Sequence, residues 1–212
     1  MSQNRLKALW SIFKNTGRPV AFITESSVEQ WILEGHPLHP AYPYLSSTHK
    51  SDYLRCYLMH HYGGGYSDIK TTSARWEQFF VQLEDSQDSF ALGYTELAHG
   101  IPHLHGQFGD KVRAAHKELI GLCAFIFKPN TLLSTEWYEQ LNKVLDEKLV
   151  SLKANPGKFS LDQFGLVLPD GSRSNYPLRW AEILGEILHP LFFEYRQKLI
   201  KDQIQPQFTE YR

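Results

Sequence analysis

His49–Lys70, HKSDYLRCYLMHHYGGGYSDIK, is the stretch whose reading decides the architecture. Ser46, Ser47 and Thr48 stand before it as helix caps, and Gly63–Gly64–Gly65 ends it, so a helix is expected between them. At 100° per residue, Leu54, Tyr57, Leu58 and His61 share one face of that helix, and Asp52, Arg55 and Met59 form a stripe on the other side. Tyr53, Cys56 and His60 fill the flank. No broad solvated face is left, so the helix is expected to be largely buried. Burying Asp52 and Arg55 requires partners: each other at i,i+3, or a polar ligand. Tyr66–Lys70 then reads as a short strand that carries Asp68 to its end, where ligands bind in an open α/β sheet. The glycines lack a following Lys-Ser/Thr and open no helix, so they are not a phosphate-binding P-loop.

Working outward, helix-like and strand-like segments alternate, the pattern of an α/β domain. Residues 3–15 are helical, with Leu6, Leu9, Trp10 and Phe13 at helical spacing. A strand is expected at 20–24 and a helix at 28–34, followed by an ordered, proline-bearing connection through residue 45. Beyond the central stretch the expectation is a helix at 75–84, a strand at 89–95, a loop at 96–109 and a helix at 110–119. An apolar strand follows at 121–128 and an amphipathic helix from Ser134 to Leu152. Residues 155–177 are loop-rich, with a tight turn at 168–172. A last helix spans 178–201, kinked at Pro190. No repeat or linker divides the 212 residues, so the whole of 1–212 is read as one domain.

Composition narrows the function classes. Hydrophobic residues make up 42% and aromatic residues 14%, enough for a packed core rather than a disordered chain. No apolar run approaches the roughly 18 residues of a spanning helix. The first ten residues lack the apolar core and cleavage site of a secretory leader. A net charge of −1 leaves no basic footprint for nucleic acid. Cys56 and Cys123 sit among apolar neighbours and fit reduced, buried thiols in a cytoplasmic protein.

Taken together, S-D-x-L-R on a helix, a closing Y-G-G and a Y-x-D-x strand end resemble the sugar-nucleotide segment of GT-A-fold glycosyltransferases. The group includes polysaccharide and capsule sugar transferases, yeast-type mannosyltransferases and the glucosylating clostridial toxins. The resemblance implies a GT-A-like mixed sheet flanked by helices and a hexose transferred, with retention, from a UDP- or GDP-linked donor to a glycan or protein acceptor. Asp52 and Arg55 match the family's Asp and Arg that hold donor hydroxyls. Asp68, thirteen residues after Arg55, matches the first Asp of Asp-x-Asp, which faces the ribose and a divalent metal. Donor contacts are therefore expected from Lys50, Asp52, Arg55, Tyr66, Ser67 and Asp68, with Asp68 and Lys70 at the reacting centre. GLCAFIFKP at 121–129 looks like the family's strand beside the acceptor, and SNYPLRWAEILGEILHP at 174–190 like a C-terminal motif of a subset.

Two departures bear on mechanism. Lys70 replaces the motif's second Asp, the family's main metal ligand. Its ammonium can offset diphosphate charge as a point charge, or Mn²⁺ or Mg²⁺ can bind Asp68 with help from His189. The given sequence opens directly on the first helix, so the family's usual first strand, which contacts the nucleotide base, is expected either to lie outside this sequence as part of a longer polypeptide or to be replaced by a different hold on the base. Both departures motivate a rival reading as a catalytically silent sugar-nucleotide or glycan-binding domain, with a nucleotide-sugar hydrolase as a third. Elsewhere, His99, His103 and His105 lie in a loop without zinc-site spacing. His36 and His39 read as turn residues, Glu182 and Glu186 as solvated or paired with Arg179, and Asp162 as a turn residue.

Overall fold

The computed structural model describes residues 2–209 and is a four-stranded mixed sheet with six α-helices. Chain order is α1 (Gln3–Asn15), α2 (Ser47–His61), β1 (Gly64–Ser67), α3 (Glu77–Asp85), β2 (Ala91–Thr95), α4 (Gly106–Ala114), β3 (Ile120–Phe127), α5 (Leu132–Ala154), α6 (Gly185–Glu194) and β4 (Leu199–Lys201). The strands lie in the order β1-β3-β2-β4. β1 and β2 run antiparallel to β3, with Tyr66 opposite Phe125 and Gly93 opposite the same residue from the other side. β4 runs parallel to β2, with Leu199 opposite Ala91.

Alternation along the strands buries both sheet faces. Phe125 and Phe127 of β3 and Ala91 of β2 face the larger core, which holds Tyr53, Cys56 and Tyr57 of α2, Trp137, Leu141 and Leu145 of α5, and Leu188, Leu191 and Phe192 of α6. Ala124, Ile126, Leu92 and Tyr94 point the other way, onto Trp76, Phe79 and Leu83 at α3 and Ile204 of the C-terminal segment. β3 therefore reads as a nearly continuous apolar run because it is central and covered on both sides.

The strand and helix endings follow local chemistry. Ser46 caps α2 by accepting from the His49 amide. Gly63 and Gly64 sit at φ +65° and +86°, where a side chain is strained, and a Cβ on Gly63 would lie 2.6 Å from the Pro129 ring. This sharp reversal sets β1 directly against β3. The expected turn at 168–172 is present, closed by Leu168 and Ser172 and flanked by the Val167–Arg173 bridge.

Four expected elements differ. Residues 20–24 form no strand, because the chain bends at Thr24–Ser27 through hydrogen bonds between those residues and finds no sheet edge. The helix at 28–34 shrinks to a 3₁₀ turn, Val28–Trp31. The helix expected at 110–119 starts earlier, at Gly106, and ends at Ala114. The last helix covers only Gly185–Glu194. Residue Leu184 before it is non-helical (φ −128°, ψ −88°), Pro190 lies inside it, and Leu199–Lys201 leaves it to pair with β2. On α1 the buried residues are Ala8 and Ile12, while Leu6, Trp10 and Phe13 stand in solvent.

Candidate functional site

The short link from α2 to β1 brings the helix stripe against the strand end. Arg55 Nη2 lies 3.1 Å from Asp52 Oδ1 and 3.8 Å from Asp68 Oδ1, and Nη1 donates to the Leu122 carbonyl at 3.1 Å. The guanidinium rests on the Tyr66 ring, 4.2 Å from its centroid, and the Tyr66 hydroxyl donates to Asp68 Oδ1 at 2.7 Å. Lys70 Nζ donates to Asp68 Oδ2 at 2.8 Å and lies 2.9 Å from Cys123 Sγ. Asp68 is placed by β1 itself: its amide donates to the Cys123 carbonyl, continuing the ladder one residue past Ser67. The Ser67 hydroxyl donates to the Asp68 carbonyl. Two carboxylates and two cations thus balance at one point, and the most accessible is Asp68, whose side chain keeps 24% of its surface exposed.

The electrostatics follow from burial and pairing. Burial pushes the Asp52 carboxyl up to about 6, since Arg55 offsets only part of the desolvation and Asp68 repels it. Burial also works against the charge on Asp68, but Arg55 and Lys70 outweigh it and hold that carboxyl below the usual range. Lys70 shows the mirror case, with burial overcome by Asp68, so its pKa is raised. The Arg55 Nε–H is buried and has no hydrogen-bond partner.

A cleft of about 200 Å³ adjoins this cluster, lined by Tyr94, Glu96, Leu97, His99, Leu122, Cys123 and Phe208, among others. Three of its walls belong to both features. Leu122 accepts from Arg55, Cys123 touches Lys70, and the Phe208 ring centroid lies 5.1 Å from the Lys70 ammonium. Glu96 Oε2 meets His189 Nε2 at 2.8 Å behind the cleft, and Glu96 Oε1 accepts from the Leu97 amide.

Of the residues expected from sequence, Asp52, Arg55, Tyr66, Asp68 and Lys70 converge, and Ser67 braces the strand end. Lys50 stands apart, paired at 2.9 Å with Glu25. His189 does not join Asp68: it is fully buried, with Nδ1 on the Gly185 carbonyl and Nε2 on Glu96. The residues present do not fit a divalent ion at Asp68. Both carboxylate oxygens already accept from Tyr66 and Lys70, an ion there would face an ammonium and a guanidinium, and no group of three or more His, Cys, Asp or Glu side chains suited to a metal occurs among the described residues.

Other candidates resolve into structure. Asp162 is buried and ties Lys158 to Ser174. Arg179 pairs with both Glu182 and Glu186. His39 accepts from the Ala41 amide at Nδ1, so Nε2 carries the proton toward Asp146. His103 and His105 are exposed, and of the three histidines in that loop His99 lines the cleft. Sequence reasoning missed Cys123, Glu96 and Phe208, because chain-distant packing alone brings them to the cluster: Lys70 and Cys123 are 53 residues apart.

No known protein family matches this chain, and no match was found among curated proteins or solved structures.

Proposed function

We propose that the chain binds a nucleotide diphosphate sugar at the Asp52–Arg55–Asp68–Lys70 cluster and transfers its hexose to a glycan or protein acceptor without a resident metal. The observation that carries this reading is the convergence of two carboxylates and two cations directly behind the Leu122, Cys123 and Phe208 wall of one cleft. Carboxylates and a forked guanidinium suit sugar hydroxyls, and the buried Arg55 Nε–H has its hydrogen-bonding capacity unused. At about 200 Å³ the cleft falls below the ~300–1,000 Å³ of drug-sized sites, a scale that suits a single sugar ring.

In the transfer, the bond from the anomeric carbon to the diphosphate oxygen breaks and a bond from that carbon to an acceptor hydroxyl oxygen forms. The leaving diphosphate takes the bonding electron pair, and the acceptor proton passes to it or to water. Lys70 supplies positive charge to the leaving group, and Asp52 with Arg55 fixes the ring. No side chain is assigned as a nucleophile. The Lys70–Asp68 contact favours a second reading, a binding domain without catalysis, because the ammonium is already engaged.

Titration with UDP-glucose and GDP-mannose in EDTA tests both. Saturable binding with release of nucleotide on adding acceptor glycans supports transfer, and binding without release supports the silent domain. Lys70→Ala should weaken donor binding by about tenfold or more through loss of one charge-assisted contact. Lys70→Asp should make binding depend on Mn²⁺. Absence of binding by both donors, with or without Mn²⁺, overturns the assignment.

A further inference from the structure

We propose that α1 is a membrane-surface helix that lays its outer stripe into an anionic lipid bilayer. The helix docks on the body through one face only. Ala8 and Ile12 are buried, the Arg5 guanidinium reaches the Ile69 carbonyl, and the Asn15 side chain donates to the Thr72 carbonyl. On the opposite side Leu6, Trp10 and Phe13, at i, i+4 and i+7, are 46%, 72% and 44% exposed. Trp10 and Phe13 form an aromatic pair there, with ring centroids 6.4 Å apart. A tryptophan left so exposed on an ordered helix is unusual in a soluble surface, whereas an amphipathic aromatic ring suits the headgroup boundary.

The charge pattern selects the occupant. No Asp or Glu occurs before Glu25, while Arg5, Lys7, Lys14 and Arg18 all do. Lys7 and Lys14 are exposed and lie one residue beyond Leu6 and Phe13, about 100° round the helix, on the flank of the stripe. Arg18 is taken by Glu84, so these two lysines set the sign of the outer face. Apolar and aromatic side chains flanked by lysines complement an anionic headgroup layer. A second copy fits less well. A stable pair needs roughly 800 Å² per partner, more than three side chains on one helix supply, and it would bring the lysines of both copies together.

Cosedimentation of the full chain with vesicles tests this, comparing phosphatidylserine-containing vesicles with pure phosphatidylcholine at low and high salt. Binding to the anionic vesicles that salt weakens is expected. Trp10→Ala should reduce it about tenfold, and Lys7→Glu with Lys14→Glu should erase the preference for anionic lipid. These residues face away from the body, so an unchanged circular dichroism spectrum and melting temperature confirm that each variant is folded. The proposal is overturned if the wild type ignores anionic vesicles, or if Trp10→Ala binds as the wild type does. It is equally overturned if the wild type is a dimer in light scattering that Trp10→Ala makes monomeric, which would assign the stripe to a second copy.

Discussion

At the Asp52–Arg55 turn of α2 each buried charge meets an opposite one, whereas roughly two turns further along His60 and His61 bury ring nitrogens that meet nothing. His61 packs 4.6 Å from His60 and 4.7 Å from His36, between the rings of Tyr57 and Tyr138, and His60 stacks on Tyr138 at 4.9 Å. Burial and the neighbouring imidazoles His60 and His36 press the His61 pKa down to about 4. His60 is lowered by burial and His36, with Glu139 the one carboxylate opposing it. One end of the helix thus buries ions by balancing them, and the other buries titratable groups by keeping them neutral. The difference is chemical: carboxylates and an arginine cannot shed charge at neutral pH, and imidazoles can.

The largest effect should come from unbalancing the charged end. Asp68→Ala leaves Arg55 and Lys70 facing each other without their shared carboxylate. Breaking a buried pair in this way costs about 3–5 kcal/mol, read as a lower urea midpoint at constant slope. If Asp68→Ala is as stable as the wild type, the balance is not what holds that end.

Acid separates the two ends next. The folded pKa of His61 lies below its unfolded value near 6.5, so the unfolded chain binds more protons between about pH 6.5 and 4 and stability falls as pH falls through that window. Asp52 has the opposite sign. Its folded pKa of about 6 lies above the ordinary 3.8, so over that interval the folded chain binds the extra proton and acid adds stability. Thermal melts from pH 7 to 4 should therefore fall more steeply for Asp52→Asn than for the wild type, and less steeply for His61→Phe. Parallel curves for all three would show that neither end governs the acid response.

The smallest effect belongs to the start of the same helix. Ser46→Ala removes a cap on the His49 amide and a 2.9 Å contact with His49 Nδ1, while the Tyr176 hydroxyl still meets Nδ1 and the Arg179 carbonyl still holds Nε2. Its cost should be about 1 kcal/mol by chemical denaturation, independent of pH above the histidine range. A pH-dependent cost would mean that His49 titrates with the cap.

Legibility in the sequence tracks how local each cause is. α2 was readable because Ser46, the apolar spacing and Gly63 are all adjacent in the chain. β3 was readable because a central strand covered on both faces must be apolar throughout. β4 was not, since Leu199 and Ile200 continue the apolar spacing of the preceding helix and only the free edge of β2 pulls them into a strand. Residues 20–24 had strand composition without a partner edge. At the candidate site, the i,i+3 spacing of Asp52 and Arg55 and the short strand to Asp68 announced a charged cluster. The cleft wall did not announce itself, because Glu96 follows the end of β2, Cys123 lies in β3 and Phe208 comes from the C-terminal segment.

The parallel pairing of β4 with β2 carries a consequence for biosynthesis. A ribosome delivers Leu199–Lys201 after every other strand of the sheet, so Ala91–Gly93 has an unsatisfied hydrogen-bonding edge from its own synthesis until β4 emerges. The Leu199 side chain, which the larger core needs, and Ile204, which the smaller one needs, arrive equally late. Both faces of the sheet therefore stay incomplete until residues 199–204 clear the exit tunnel. Slow or interrupted synthesis of this protein leaves an open strand edge beside exposed apolar surface, the kind of intermediate that chaperones bind and that aggregates when they do not.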